Sequence, residues 1–169
     1  YAHEHYGIEP DVMASAKGIG GGFPLGACLA TEKAARGMGF GTHGSTYGGN
    51  PLAMAVGHVV FDVIENEAFL DSVRRVSGTL TQGLKSLADS HPDLVEEVRG
   101  KGLLVGLKLK GAPKPVQNAA RERGLLTGIA GDNVLRLAPP LIITDGDVRE
   151  AVGILDAALT ASRDAVLAG

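Results

Sequence analysis

The chain has 169 residues, 44% of them hydrophobic and 21% charged, the balance of a folded globular chain of one domain, or one large domain plus a fragment, and not of a disordered one. A net charge of -3 leaves no basic excess to neutralise phosphates, which argues against a nucleic-acid partner, and no apolar run approaches the roughly 20 residues needed to span a bilayer. The single cysteine, Cys28, cannot close an internal disulfide and fits a reducing, cytoplasmic setting.

The 25 glycines are about twice the average share and cluster at 18–26 and 37–49. Tyr1 is neither a methionine nor the start of a charged-then-apolar targeting segment, so the chain is expected to begin mid-protein. Residues 1–10 are polar and aromatic and end in Pro10, as a helix end or loop entering a strand does. Residues 11–16 predict a short buried strand, the glycine loop follows at once, and 25–30 predict a second strand. Both look like members of a larger parallel sheet. Residues 37–49 form a loop of a length that more often carries function than not.

Asn50-Pro51 opens a helix, an N-cap followed by proline at the first helical position, running to about Ile64. Leu70, Val73, Val76, Leu80, Leu84 and Leu87 recur at spacings of three and four and place one apolar core stripe on a second helix, stopped by His91-Pro92. Strands are expected at 95–98 and 103–109, a short helix at 116–123 ended by Gly124, and two more strands at 125–129 and 134–137. Thr144-Asp145-Gly146-Asp147 has the form of a capping box, and a final helix runs from there to about Leu167. A boundary near 90–93 separates an α/β piece from a smaller α+β unit.

Three places have the makings of a site. Lys17 stands where an apolar strand meets Gly18-Ile19-Gly20-Gly21-Gly22. A lysine that forms a Schiff base needs partial desolvation, to free its amine, and backbone that can approach a flat cofactor; a surface lysine beside a flexible turn would give the same local pattern. The segment 41–49 offers hydroxyls and exposed amides just before a helix N-terminus, which suits a phosphate monoester and equally a polar linker. Arg136, between Leu135 and Leu137, fits a substrate carboxylate; it fits an internal acidic partner or a solvent-facing position as well. His3-Glu4-His5 lacks further ligands at zinc-like spacing and reads as a polar helix end. Cys28, inside an apolar run, reads as a small core residue.

Five blocks carry a wider resemblance: His5-Tyr6-Gly7-Ile8-Glu9-Pro10-Asp11; Ala16-Lys17-Gly18-Ile19-Gly20-Gly21-Gly22-Phe23-Pro24-Leu25-Gly26-Ala27; His43-Gly44-Ser45-Thr46-Tyr47-Gly48-Gly49-Asn50-Pro51-Leu52-Ala53; Val98-Arg99-Gly100-Lys101-Gly102-Leu103; and Arg136-Leu137-Ala138-Pro139-Pro140-Leu141. In this order they resemble the C-terminal half of the class III aminotransferases, in their acetylornithine branch. The resemblance implies an α/β chain with part of the large domain of a fold-type I pyridoxal-phosphate-dependent transferase (residues 1–92, including an interdomain helix) and its small C-terminal α+β domain (residues 93–169). It implies that Lys17 bonds to pyridoxal 5'-phosphate and moves the proton in catalysis, that Ser45 and Thr46 bind the cofactor phosphate of the neighbouring subunit of a homodimer, and that Arg136 grips the substrate α-carboxylate. The implied reaction passes the terminal amine of N-acetylornithine to 2-oxoglutarate in arginine biosynthesis. Ornithine, succinylornithine or 4-aminobutyrate as donor, or a non-catalytic dimer-forming remnant, are the competing readings. The family's phosphate loop, its ring-stacking aromatic and the aspartate on the pyridine nitrogen have no counterpart here, so the chain by itself is expected to be inactive.

Overall fold

The computed structural model describes residues 1–168, which divide into two compact units, 1–69 and 70–168. The first unit opens with a 3₁₀ turn, Ala2–Tyr6, followed by β1 (Val12–Ala16), a second 3₁₀ turn (Lys17–Gly20), β2 (Gly26–Ala30), the short helix α1 (Glu32–Ala35) and α2 (Pro51–Ile64). Both strands fall where the sequence predicts them, but not in a parallel arrangement. β1 and β2 pair antiparallel, Val12 opposite Ala30 and Ala16 opposite Gly26. The reason is chain length: parallel neighbours need a crossover of about a dozen residues or more, and only residues 17–25 join these two. Cys28 also departs from expectation. It is exposed, as is every residue of β2, because a two-stranded ribbon has no core of its own.

The second unit holds nearly the whole body of α3 (Glu67–Ser90), then β3 (Val95–Lys101), β4 (Leu104–Leu109), α4 (Lys114–Glu122), β5 (Gly128–Ala130), β6 (Val134–Leu137), α5 (Asp145–Ala161) and α6 (Arg163–Leu167). Its sheet is antiparallel throughout in the order β3-β4-β6-β5. Alternate residues of β4, Val105, Leu107 and Leu109, point into a core completed by Leu84 and Leu87 of α3, Val116 of α4, Leu155 and Leu159 of α5 and Val166 of α6. The apolar stripe read from the sequence is thus the surface by which α3 joins this unit. The packing boundary at 69/70 and the boundary drawn from Pro92 differ by that one helix.

Two other differences have local causes. The strand expected at 125–129 shrinks to Gly128–Ala130, because Leu125 and its neighbours finish α4: Leu125 N–H bonds to the Ala120 carbonyl at 2.9 Å. The last helix breaks at Ser162 (φ -106°, ψ 5°). The break re-aims α6, which comes so close to Gly111 that a Cβ there would lie 1.9 Å from the Val166 carbonyl oxygen. The capping box forms as expected: Asp147 N–H donates to Thr144 Oγ1 at 3.2 Å, and the Asp147 carboxylate accepts from Thr144 N–H at 2.7 Å. No helix among the described residues is long and apolar enough to cross a membrane.

Leu84 is fully buried at the centre of the α3 stripe. Leu84→Ala should destabilise the chain by about 2–5 kcal/mol, the range for emptying a core leucine site, as read from urea unfolding followed by circular dichroism. A loss below about 1 kcal/mol would mean that α3 is not packed as described.

Candidate active site

Lys17 follows the last residue of β1, and its backbone is unusual. Its φ is +56°, in the left-handed region, which costs an L-residue about 1–2 kcal/mol. Among the described residues the only other non-glycine positions with positive φ are Asp132 and Asn133, short polar residues that tolerate it in a hairpin turn. A long side chain in this conformation persists only where its surroundings over-determine it, and such positions gather at functional sites.

The surroundings here are specific. Ile19 and Gly20 are buried, and the turn packs on α2 with no room to spare. A Cβ on Gly21 would sit 2.9 Å from Val60 Cγ2, and one on Gly57 would sit 3.1 Å from Leu25 Cδ2. The glycines therefore let the turn after Lys17 lie directly on the helix. The Lys17 side chain is exposed and its amine has no hydrogen-bond or ion-pair partner among the described residues. The desolvation expected of a Schiff-base lysine is not supplied by these residues.

Ser45 and Thr46 lie in the exposed loop before α2, in the same unit as Lys17, and neither hydroxyl is engaged by a described residue. The end of the loop is pinned: Asn50 Nδ2 donates to the Tyr47 carbonyl at 2.9 Å, while Asn50 Oδ1 accepts from Ala53 N–H at 2.9 Å and caps α2. One helix thus carries both features, the lysine turn on its side and the hydroxyl loop at its N-terminus.

Arg136 belongs to the second unit. On β6 it alternates with the buried Leu135 and Leu137 and is itself exposed. Its guanidinium has no acidic partner among the described residues, so the internal ion pair considered from the sequence is not formed. The one acid lining the same cavity, Asp147, is occupied by the Thr144 cap, whose backbone N–H, then its hydroxyl, hold the Asp147 carboxyl below the usual carboxylate range. Sequence reading missed two residues that line the same cavity as Arg136. Thr127 has a buried hydroxyl without a partner, and Gly128 is paired with Arg136 across β5 and β6.

Residues 1–159 match the family described as aminotransferase class-III. The chain belongs to the class III aminotransferases. It is 58% identical over 158 residues to an acetylornithine aminotransferase of Rhodobacter capsulatus (94% of this chain, 40% of that protein). Against that of Mesorhizobium japonicum it is 52% identical over 166 residues (98% of this chain, 42% of that protein). Among solved structures, N-acetylornithine aminotransferase from Stenotrophomonas maltophilia matches with a TM-score of 0.84 at 37% identity, covering 98% of this chain and 43% of that one. The chain therefore has the fold of the matching part of these class III, fold-type I α/β enzymes. The family is pyridoxal-phosphate-dependent. The chain spans about two fifths of the length of the curated relatives it matches.

The left-handed backbone at Lys17 has a direct test in stability. Lys17→Gly relieves the conformation, whereas Lys17→Ala retains it. The glycine variant should unfold at the higher urea concentration, by about 0.5–1 kcal/mol once the added chain entropy of glycine is counted. An alanine variant as stable as the glycine one would show that Lys17 is not held in this conformation.

Proposed function

We propose that this chain is the lysine-bearing part of a cytoplasmic pyridoxal-phosphate-dependent aminotransferase that passes the terminal amine of N-acetylornithine to 2-oxoglutarate in arginine biosynthesis. Lys17 carries the proposal: an amine with no partner among the described residues, on a backbone that lysine ordinarily avoids, between a strand end and a glycine turn seated on α2. Support for the donor comes from the acetylornithine aminotransferases at 52–58% identity.

The residues present fit the cofactor. Lys17 offers the amine that bonds to its aldehyde, and the turn at 18–22 carries little side chain to obstruct a flat ring. The free hydroxyls of Ser45 and Thr46 suit its phosphate, in this reading that of the neighbouring subunit of a homodimer. When bound, the cofactor supplies a conjugated ring that withdraws electrons from the substrate carbon bearing the amine. With the cofactor bound, Lys17 would stand beside that carbon, and its amine would carry the proton to and from it. Arg136 holds a substrate carboxylate through two parallel hydrogen bonds, which its planar fork allows and its lack of an acidic partner among the described residues leaves available. In glutamate and 2-oxoglutarate the reacting carbon is bonded directly to a carboxylate. In N-acetylornithine the reacting amine is at the opposite end from the carboxylate, so the dicarboxylic pair depends on Arg136 most. In the intact protein residues 1–92 complete the large domain and 93–169 form the small one.

In the intact protein Lys17→Ala should abolish both the visible absorbance of bound cofactor and turnover, a loss of many orders of magnitude. Borohydride reduction of the unaltered protein should fix the cofactor to the peptide containing Lys17, as read by mass spectrometry. Cofactor trapped at its usual site in the variant would remove Lys17 from this role.

Residues 1–169 alone, supplied with pyridoxal phosphate, N-acetylornithine and 2-oxoglutarate, should yield no glutamate above background. Lys17 is exposed here, and no carboxylate of this chain is assigned to the cofactor's ring nitrogen. Sustained turnover would show that the chain is a complete enzyme.

A further inference from the structure

Gly128 is a glycine without a backbone reason. It occupies a strand, where glycine is weaker than almost any other residue, and its φ lies outside the left-handed region, so an L side chain would fit its backbone. A strand glycine of this kind commonly marks a close approach. The approaching group here is the Arg136 guanidinium. Gly128 and Arg136 are direct partners across β5 and β6, and a Cβ built on Gly128 would lie 3.2 Å from both Nε and Nη2 of Arg136 and 3.6 Å from its Cζ. The guanidinium therefore lies over the bare Cα of its cross-strand partner. It borders a cavity of about 470 Å³ whose lining includes Leu125, Thr127, Ile143 and Val148. No acid of that lining is free to orient it, since Asp147 is committed to its cap.

We infer that Gly128 is a positioning residue for Arg136: the missing side chain is the floor on which the guanidinium rests, and this resting place sets the direction in which the fork meets a substrate carboxylate. The inference depends on the reading of Arg136 as a carboxylate-binding residue. A methyl group on Gly128 displaces the guanidinium by a few tenths of an ångström or more, because 3.2 Å is inside normal carbon–nitrogen contact. A two-pronged grip is sensitive to such a shift, whereas a point charge is not.

The test uses the intact enzyme and two readouts, the KM for 2-oxoglutarate and the dissociation constant of glutarate, a dicarboxylate that cannot react, measured calorimetrically. Gly128→Ala should raise both by about threefold or more, with kcat changing by less than KM, as expected for a lost binding alignment. Arg136→Lys should raise both at least as much. The double variant should be no worse than Arg136→Lys alone, because the two changes act on one group. If Gly128→Ala leaves both constants unchanged while Arg136→Lys raises them, the inference falls and the reading of Arg136 stands. If neither variant raises them, the reading of Arg136 falls with it. Effects that add independently would mean that Gly128 acts elsewhere, and would overturn the inference. A stability measurement covers the case in which Gly128→Ala folds poorly. With Arg136 already replaced by alanine, the space over Gly128 is open, and adding Gly128→Ala should leave the thermal midpoint unchanged or raise it. A fall in that background would show that Gly128 is bare for a reason other than Arg136, and would equally overturn the inference.

Discussion

The contact between the glycine turn and α2 is the constraint on which the first unit depends. Gly21 and Gly57 leave out the atoms that would hold turn and helix apart, and Ile19 and Ala53 are the buried apolar side chains of the unit. With β1 fixed on one side and this contact on the other, the chain must reverse at Lys17, and a positive φ is how it does so. The same helix begins at Asn50, whose side chain ties the loop bearing Ser45 and Thr46 to the helix end. An amine and two hydroxyls are thus referenced to one helix.

The two units differ in how they are held. The second has a continuous core of leucine and valine from four helices and one face of its sheet, the two-layer arrangement from which stable domains are built. The first leaves Tyr6, Phe40, Tyr47, Leu52 and Val59 exposed. Arg136 accordingly stands on the firmer ground. The alternation of β6 turns it out of the core, and its cross-strand partner supports it. Ion pairs elsewhere in that unit, such as Arg99 with Asp132 at 2.7 Å and Lys108 with Glu96 at 2.9 Å, lie on the surface and contribute little each. The core does the holding.

Much of this was legible in the residues because the signals are local. Asn50-Pro51 marks the start of α2 to the residue, since a cap and a missing N–H act within one turn. The spacing from Leu70 to Leu87 fixes the buried face of α3, and Thr144 with Asp147 fixes the start of α5. Lys17, Ser45, Thr46 and Arg136 stood out by chemistry and by the order of their surrounding blocks. The family that those blocks resemble is the one to which the chain belongs.

Tertiary structure decided what depends on partners distant in sequence. The antiparallel sense of β1 and β2 follows from the short connection between them, which strand periodicity does not encode. Cys28 reads as core from its apolar neighbours, yet burial requires a second layer, and a two-stranded ribbon has none. The split of the last helix at Ser162 reflects the fit of Val166 against Gly111, far back in the chain. The resting place of Arg136 on Gly128 came from strand register, which pairs residues that no local pattern connects. Composition, capping and periodicity determine which elements form. Their mutual directions, and therefore the orientation of Arg136, are set by packing between segments, where contact geometry outweighs local preference.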